Sequence, residues 1–181
     1  VLPSFTNEME KLLTGLEMKN IRLRIDIVQQ DKLLTNGVDE LDFLISSDKG
    51  KTFETIKRIA SGGEMSRIML SVKCILSNYT HLPAIIFDEI DTGVSGEVSN
   101  RIADLMVKMS DNMQVISITH LPQVAAKGLQ HYLVYKDEDG AMISSNIKLL
   151  DENDRLVHLA EMLGGSDITE SALAHAKQLL S

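Results

Sequence analysis

The stretch Ala84-Ile-Ile-Phe-Asp-Glu-Ile-Asp91 decides the fold, because in it an apolar run ends in two adjacent carboxylates, Asp88 and Glu89. Such a run is typical of a strand buried in a parallel sheet. Acids at its carboxyl end stand where open α/β sheets bind their ligands. The stretch therefore predicts an α/β fold with a nucleotide-handling site at that edge of the sheet.

Composition narrows the class of protein. The 181 residues suffice for one domain with a substantial core, and 44% apolar and 24% charged residues are ordinary for a globular protein. A net charge of −8 argues against a mainly basic module that coats DNA. Cys74 is the only cysteine, which excludes an internal disulfide and fits a reducing cytosol. No apolar run approaches the ~18 residues that span a bilayer.

Hydrophobic periodicity and turn signals predict the elements around this stretch. A helix is expected over residues 8–19, followed by an antiparallel hairpin from strands at 21–27 and 41–46, with turns at 36–37 and 48–50. Ser61 caps a glycine-led helix, and a helix at 98–109 and a strand at 115–118 follow the Asp88 strand. A strand pair at 132–135 and 141–149 and helices at 156–163 and 168–180 complete the chain. The order helix, strand, helix, strand from Ser61 onward implies α/β layering.

Asp88 and Glu89 are the first candidate functional residues. Where a strand ends the chain turns, so both acids can reach one site. One acid can hold Mg²⁺ through water beside a phosphate, and its neighbour can orient a water for attack on the terminal phosphoryl group. The alternative is that two acids simply end a strand in solvent.

His120 is the second candidate, since it follows the strand Val115-Ile-Ser-Ile-Thr119. In a parallel sheet this strand end lies at the same edge as Asp88 and Glu89. A neutral imidazole there can donate a hydrogen bond to a phosphate oxygen or position the water. An ordinary capping or partly buried histidine is the alternative. The other four histidines have no comparable setting, and no pair has the spacing of zinc ligands.

Ser61-Gly62-Gly63 is the third candidate. Glycines allow close approach of a ligand to the backbone, and the start of the helix behind them presents free N–H groups to an anion. A helix cap with a flexible entry is the alternative. By contrast, nothing in the sequence fits Gly-x-x-x-x-Gly-Lys-Ser/Thr, so the phosphate cradle of an NTPase must come from another segment or another chain.

The order of these motifs resembles the C-terminal half of an ABC-type ATPase head. The stretch 57–70, with Ala60-Ser-Gly-Gly-Glu64, resembles the signature of the RecN family of bacterial DNA repair proteins, which are relatives of the SMC proteins. The stretches 87–96 and 118–126 and Glu161-Met-Leu-Gly-Gly165 resemble the same family. The resemblance covers roughly residue 20 to the C-terminus and implies a P-loop ATPase head lobe: a parallel-strand core with flanking helices and a small antiparallel β portion.

The resemblance also implies a role for each matching residue. Ser61, Gly62, Gly63 and Glu64 form the signature motif, which contacts the γ-phosphate of ATP bound to the opposite head. Asp88 is the Walker B acid near Mg²⁺, and Glu89 is the catalytic carboxylate that orients water. Asp91 lies in the loop that crosses the interface between heads, and His120 is the switch histidine that faces the γ-phosphate. Ala60 and Glu64 stand where the general ABC signature has Leu and Gln, which disfavours a transporter subunit.

For the whole protein, the resemblance implies a cytoplasmic, nucleoid-associated bacterial ATPase that acts on broken DNA and not on a membrane. Its N-terminal Walker A half lies beyond a long coiled coil, with residues 1–19 as the end of that coiled coil and 20–181 as the head lobe. The expected partners are that half, a second head joined through ATP, and DNA. A start at Val1 without Met suggests a fragment. The head of another SMC-like chromosome protein, and a non-catalytic interaction module on the same fold, are the alternatives.

The basic stretch from residue 49 to residue 73 is a candidate for DNA contacts, but it overlaps the signature motif. It contains Lys49, Lys51, Lys57, Arg58, Arg67 and Lys73. These side chains can equally serve the nucleotide or the opposite head, and the sequence does not decide between these uses.

Overall fold

The chain divides into two units, which are described separately. The computed structural model describes residues 2–35, 37–46, 52–59, 61–91, 93–94, 96–137, 144–165 and 167–181. Unit 1 comprises residues 1–85 and 90–115, and unit 2 comprises residues 86–89 and 116–181. Among the described residues, no helix combines the length and the apolar character needed to cross a membrane.

Unit 1 begins with an amphipathic helix and a long hairpin. Helix α1 (Leu2–Gly15) is followed by the antiparallel strands β1 (Arg22–Leu34) and β2 (Gly37–Ser46), and the short strand β3 (Glu54–Thr55) adds to β2. Leu23 pairs with Ile45, and Ile27 pairs with Leu41, so the alternating apolar residues lie on one face. Helices α2 (Ile56–Ile59) and α3 (Gly62–Leu76) follow.

The core of unit 1 lies where α1, the root of the hairpin and α3 meet. Its buried members are aliphatic, as the low aromatic content leads one to expect: Met9, Leu13, Ile21, Leu23, Ile45, Ile68 and Ile75. The buried face of α3 therefore belongs to this core. The first turn of α3 reaches the surface, where Ser61 and Gly62 are exposed.

The remaining elements alternate between strand and helix before a hairpin and two helices end the chain. They are β4 (Ala84–Asp88), α4 (Glu97–Ser110), β5 (Gln114–Ile118), α5 (Pro122–Lys127), β6 (Tyr132–Asp137), β7 (Ser144–Leu149), α6 (Glu152–Gly164) and α7 (Glu170–Leu180). β6 and β7 pair antiparallel, whereas β4 pairs with β5. In unit 2, α5, α6 and α7 pack together around Leu159, Ala160, Ala172 and Ala176.

Two hydrogen bonds show that β4 and β5 run parallel. Near the start of the strands Gln114 N–H donates to Pro83 C=O at 3.0 Å, and past their ends Glu89 N–H donates to Ile118 C=O at 3.2 Å. Both strands thus advance in the same direction from the first bond to the second, and their carboxyl ends share one edge. The predicted fold class, a parallel-strand core with flanking helices and an antiparallel β portion, is confirmed.

Several predicted bounds were wrong, and three short elements were missed. The first helix covers 2–15 and not 8–19. Helix α6 begins at Glu152, before the expected start at residue 156, and helix α7 begins at Glu170, after the expected start at residue 168. β3, α2 and α5 are too short to give a periodic signal. Asn36 and residues 48–50 and 141–143, on which predicted turns or strand residues fall, lie outside the described residues.

Helix α1 ends in a Schellman motif that carries glutamate where glycine is usual. Met18 N–H donates to Leu13 C=O at 2.9 Å, and Glu17 N–H donates to Thr14 C=O at 3.2 Å. Glu17 therefore has a left-handed backbone with φ 63°. This turn brings Met18 against the unit 1 core and stops the helix before the predicted end at residue 19.

A histidine pair lies in unit 2 between the β6–β7 hairpin and α6. The rings of His131 and His158 meet edge to face with centroids 5.3 Å apart, and His158 Nδ1 lies 3.2 Å from Glu161 Oε2. Burial lowers the pKa of His131, and the positive charges of His158 and Arg155 lower that pKa further. In the described part of the chain His131 Nδ1 has no hydrogen-bond partner, so little compensates a proton placed there.

We expect Glu17→Gly to raise the free energy of unfolding by about 0.5–1 kcal/mol. Glycine adopts a left-handed backbone without the steric cost that a side chain incurs, and this gain exceeds the extra entropy of the unfolded chain. Urea denaturation measures the change. Lys11→Gly, at an exposed position inside the same helix, is the matched control and should lower the free energy of unfolding by about 1 kcal/mol. Destabilisation by both substitutions would contradict the assigned role of Glu17.

We expect the free energy of unfolding to decrease on acidification below the ordinary histidine pKa of about 6.5. Because the His131 pKa is lower in the folded chain, the unfolded state binds more protons in this window. Stability therefore rises with pH up to that value and then levels off as far as His131 is concerned. His131→Gln should reduce the slope between about pH 5 and pH 7 in urea denaturation. Equal slopes in the parent chain and in the His131 variant would contradict the assignment.

Candidate nucleotide site

Glu89 and His120 are brought to one edge of the sheet. The backbone of Glu89 is bonded to Ile118, two residues before His120, and both residues belong to unit 2. Asp88 ends β4, and all three side chains are exposed. Their roles in chemistry stay predictions.

The backbone of Glu89 is strained. Its φ is +48°, a left-handed value that costs a residue with a side chain about 1 kcal/mol or more. The bond to Ile118 fixes this conformation at the point where the chain leaves the sheet. Strained residues cluster at functional sites because the surrounding structure must impose them. The strain therefore marks Glu89 as a residue whose direction matters.

A local turn places His120 between β5 and α5. The hydroxyl of Thr119 accepts a hydrogen bond from Leu121 N–H at 3.0 Å, which bends the chain at His120. Pro122 then begins α5 at a position where its missing N–H costs nothing. The histidine is thus fixed by a strand on one side and a helix on the other.

Arg155 holds the other end of α5. Its Nη2 donates at 2.6 Å to the carbonyl oxygens of Ala126 and Gly128, which end that helix. A cation at a helix C-terminus also interacts favourably with the helix dipole. The terminal helices therefore support the segment that carries His120. Sequence reasoning missed Arg155, because a contact across 29 residues leaves no local signal.

The signature stretch lies in unit 1 at the start of α3. Ser61 is the N-cap, and its backbone N–H and hydroxyl both donate to Glu64 Oε2 at 2.9 Å. Glu64 N–H in turn donates to Ser61 Oγ at 3.4 Å, which completes a capping box. The sequence Ser-x-x-Glu carries the signal for this pairing, whereas the family resemblance implies only a nucleotide role for Glu64. That role stays a prediction.

Gly62 is not required by the fold of the described chain. Its φ is not in the left-handed region, and a Cβ built at this position meets no atom within 4 Å. The position is exposed, so a side chain would project into open space. The absence of a side chain leaves the backbone at the start of α3 open to an approaching group. Gly63 is half-buried within the same turn, and Ala60 lies outside the described residues.

Asp91 is buried in unit 1, with 1% of its surface exposed. Val94 N–H donates to its backbone oxygen at 3.4 Å, in a loop where Gly93 and Gly96 have φ of 76° and 58°. Its predicted place at an interface between heads stays a prediction. In the chain as it stands, the carboxylate belongs to the interior, and the loop around it is what reaches the surface.

Metal ligands are sparse. Across the described residues, no group of three or more His, Cys, Asp or Glu side chains is placed to hold a metal ion. Mg²⁺ bound with a nucleotide does not need such a group, since it keeps several waters and uses one or two carboxylates together with phosphate oxygens. The exposed carboxylate of Asp88 at the strand end fits that pattern.

Sequence comparisons find the same repair family in several bacteria. The chain is 37% identical over 182 residues to the DNA repair protein RecN of Vibrio cholerae, covering 97% of the chain and 33% of that protein. It is 40% identical over 152 residues to RecN of Bacillus subtilis, covering 84% of the chain and 26% of that protein. The chain thus spans about a quarter to a third of the length of the curated relatives it matches. No family model matches the chain.

Structure comparisons find SMC heads. An SMC head domain with a coiled coil and joint from Pyrococcus yayanosii superposes with a TM-score of 0.67 at 22% identity, over 88% of this chain and 29% of that one. A structure concerned with ATP-driven dimerization and DNA-stimulated activation of SMC ATPases gives a TM-score of 0.59 at 20% identity, over 90% and 93% of the two chains. The chain is therefore similar in sequence to about a quarter to a third of RecN DNA repair proteins, and it is similar in fold to SMC head domains.

Proposed function

We propose that the chain is the C-terminal lobe of an ATPase head in a RecN-type protein that repairs DNA double-strand breaks in the bacterial cytoplasm, in association with the nucleoid. ATP held between two such heads joins them, and hydrolysis releases them. Residues 1–19 are the end of the coiled coil, and residues 20–181 are the head lobe. The observation that carries the proposal is the parallel pairing that brings Glu89 and His120 to one edge.

Glu89 and His120 supply the hydrolytic half of the site. The Glu89 carboxylate orients a water molecule toward the γ-phosphate, and the His120 imidazole donates a hydrogen bond to an oxygen of that phosphate. The strained backbone of Glu89 and the two-sided support of His120 favour these roles, because a group that orients a water must itself be held.

ATP and Mg²⁺ are the proposed cofactors. Asp88 would hold Mg²⁺ through water, and the bound ion would neutralise charge on the phosphate oxygens. Ser61, Gly62 and Gly63 would meet the γ-phosphate of ATP bound to the opposite head, together with the N–H groups at the start of α3. Since these residues serve the nucleotide of another head, the proposal does not require Ser61 and Glu89 of one chain to meet.

The Walker A half is the required intramolecular partner. The face of β4 and β5 that carries Asp88 also carries Ile86, Ile116 and Ile118, which are 63%, 41% and 53% exposed. Strands of parallel sheets are normally covered on both faces, and an exposed isoleucine row at such a position indicates a missing layer. A Walker A half would cover this row and bring the phosphate cradle beside Asp88. DNA contacts belong to the complete protein.

We expect the chain alone to show no ATP turnover, and the chain combined with the Walker A half to hydrolyse ATP. Glu89→Gln should then lower kcat about 10²-fold or more, because the amide orients water poorly and accepts no proton. The same variant should prolong the ATP-bound dimer of heads. A phosphate-release assay measures the rate, and sedimentation measures the dimer.

Glu152→Gln, on the exposed start of α6, is the matched control and should keep the parent rate. Turnover by the isolated chain at the rate of the combined protein would refute the requirement for a Walker A half. Hydrolysis at the parent rate by the Glu89 variant would remove Glu89 from its assigned role.

We expect Ile86→Asn to weaken association of the chain with the Walker A half about tenfold or more, because covering an isoleucine side chain contributes about 1.5–3 kcal/mol. The free energy of unfolding of the chain alone should change by less than about 0.5 kcal/mol, since the side chain is already exposed. Leu129→Asn, at an exposed site outside this sheet, should affect neither quantity. Unchanged association in the Ile86 variant would show that this face is not the one covered.

A further inference from the structure

One carboxylate occupies both donors of the signature serine. Glu64 Oε2 accepts from the backbone N–H and from the hydroxyl of Ser61, each at 2.9 Å. The oxygen therefore lies at the start of α3, where a negative charge is further favoured by the helix dipole. Within the chain, Glu64 thus occupies the two Ser61 donors that the proposed phosphate would also use.

A phosphate oxygen arriving at Ser61 needs the same proton. A serine hydroxyl has one O–H to donate, so it cannot serve the carboxylate and a phosphate oxygen at once. Two anions at one helix start also repel each other, most strongly when the opposite head excludes water from between them. When a phosphate binds, the carboxylate must therefore leave Ser61 or keep only its hydrogen bond from the Ser61 backbone N–H.

The helix cap itself does not need the charge. A glutamine at this position would present an amide oxygen to the Ser61 N–H and keep the capping box, since glutamate and glutamine both serve there. Charge and cap can thus be separated by one substitution.

We infer that Glu64 is an internal competitor of the γ-phosphate: it holds Ser61 in place while no nucleotide is present and raises the ATP concentration at which two heads join. The inference rests on the proposed function, because it concerns the same ATP-bound pair of heads. It reverses the sign expected of Glu64 as a nucleotide ligand. A ligand would weaken binding when it is altered, whereas a competitor strengthens binding when its charge is removed.

The test is a titration of head association in the complete protein that carries this chain and its Walker A half, with a non-hydrolysable ATP analogue as the probe. Glu64→Gln should lower the half-saturating analogue concentration about three- to tenfold, as expected for removal of one like-charge interaction. With ATP itself, KM should fall. The difference between parent and variant should narrow as NaCl is raised, because salt screens the repulsion.

Two further variants separate charge from cap. Glu64→Ala removes both, so it should lower the unfolding midpoint and still lower the half-saturating concentration. Glu170→Gln neutralises an acid in the first turn of α7 and should leave the half-saturating concentration unchanged.

The outcomes separate the inference from the proposed function. If the parent associates with the analogue and Ser61→Ala weakens that association, the proposed function stands. A half-saturating concentration in Glu64→Gln that equals or exceeds that of the parent then overturns the competitor role and leaves Glu64 as a cap or a ligand. If the parent does not associate at any analogue concentration, the proposed function fails and the inference fails with it.

Discussion

The hydrogen bond from Glu89 N–H to Ile118 C=O is the constraint on which the proposed hydrolytic half of the site depends. It joins the ends of two parallel strands, so the residues just beyond those ends share one edge. A shift of one residue in this pairing would exchange the two faces of β4 and turn the buried Phe87 outward. The position of Asp88 is therefore set by the same packing that buries its neighbour.

The signature stretch depends on a different constraint, the burial of α3. Ile68 and Ile75 are fixed in the unit 1 core, so the helical rotation that buries them also determines where the first turn points. The capping box then fixes Ser61 relative to Glu64. The unit 1 core thus orients the residues proposed to meet a phosphate.

The elements that have a strong local signal were predictable from sequence. The alternation in β1 and β2, the apolar runs of β4 and β5 and the glycine-led start of α3 follow from period and capping, and the structure has all of them. The end of α1 was not predictable in this way. Its left-handed residue is Glu17, whereas the usual sequence signal for such a helix end is glycine or asparagine. α5 has only six residues, too few for a periodic pattern. The contact of Arg155 with the end of α5 and the burial of Asp91 arise from tertiary packing, about which neighbouring residues carry no information.

Three features of the described chain are unfavourable when they are considered alone. Each is explained by a proposed partner or ligand. An isoleucine row stands in water on β4 and β5, Glu89 holds a strained backbone, and Gly62 lacks a side chain for which there is room. A sequence that specifies its fold consistently would not retain such conflicts unless another requirement opposed them. The proposed Walker A half would cover the first, the proposed role of Glu89 in orienting water would explain the second, and the proposed phosphate contact would explain the third. Because the proposed nucleotide-bound pair of heads would account for all three, the conflicts favour that proposal.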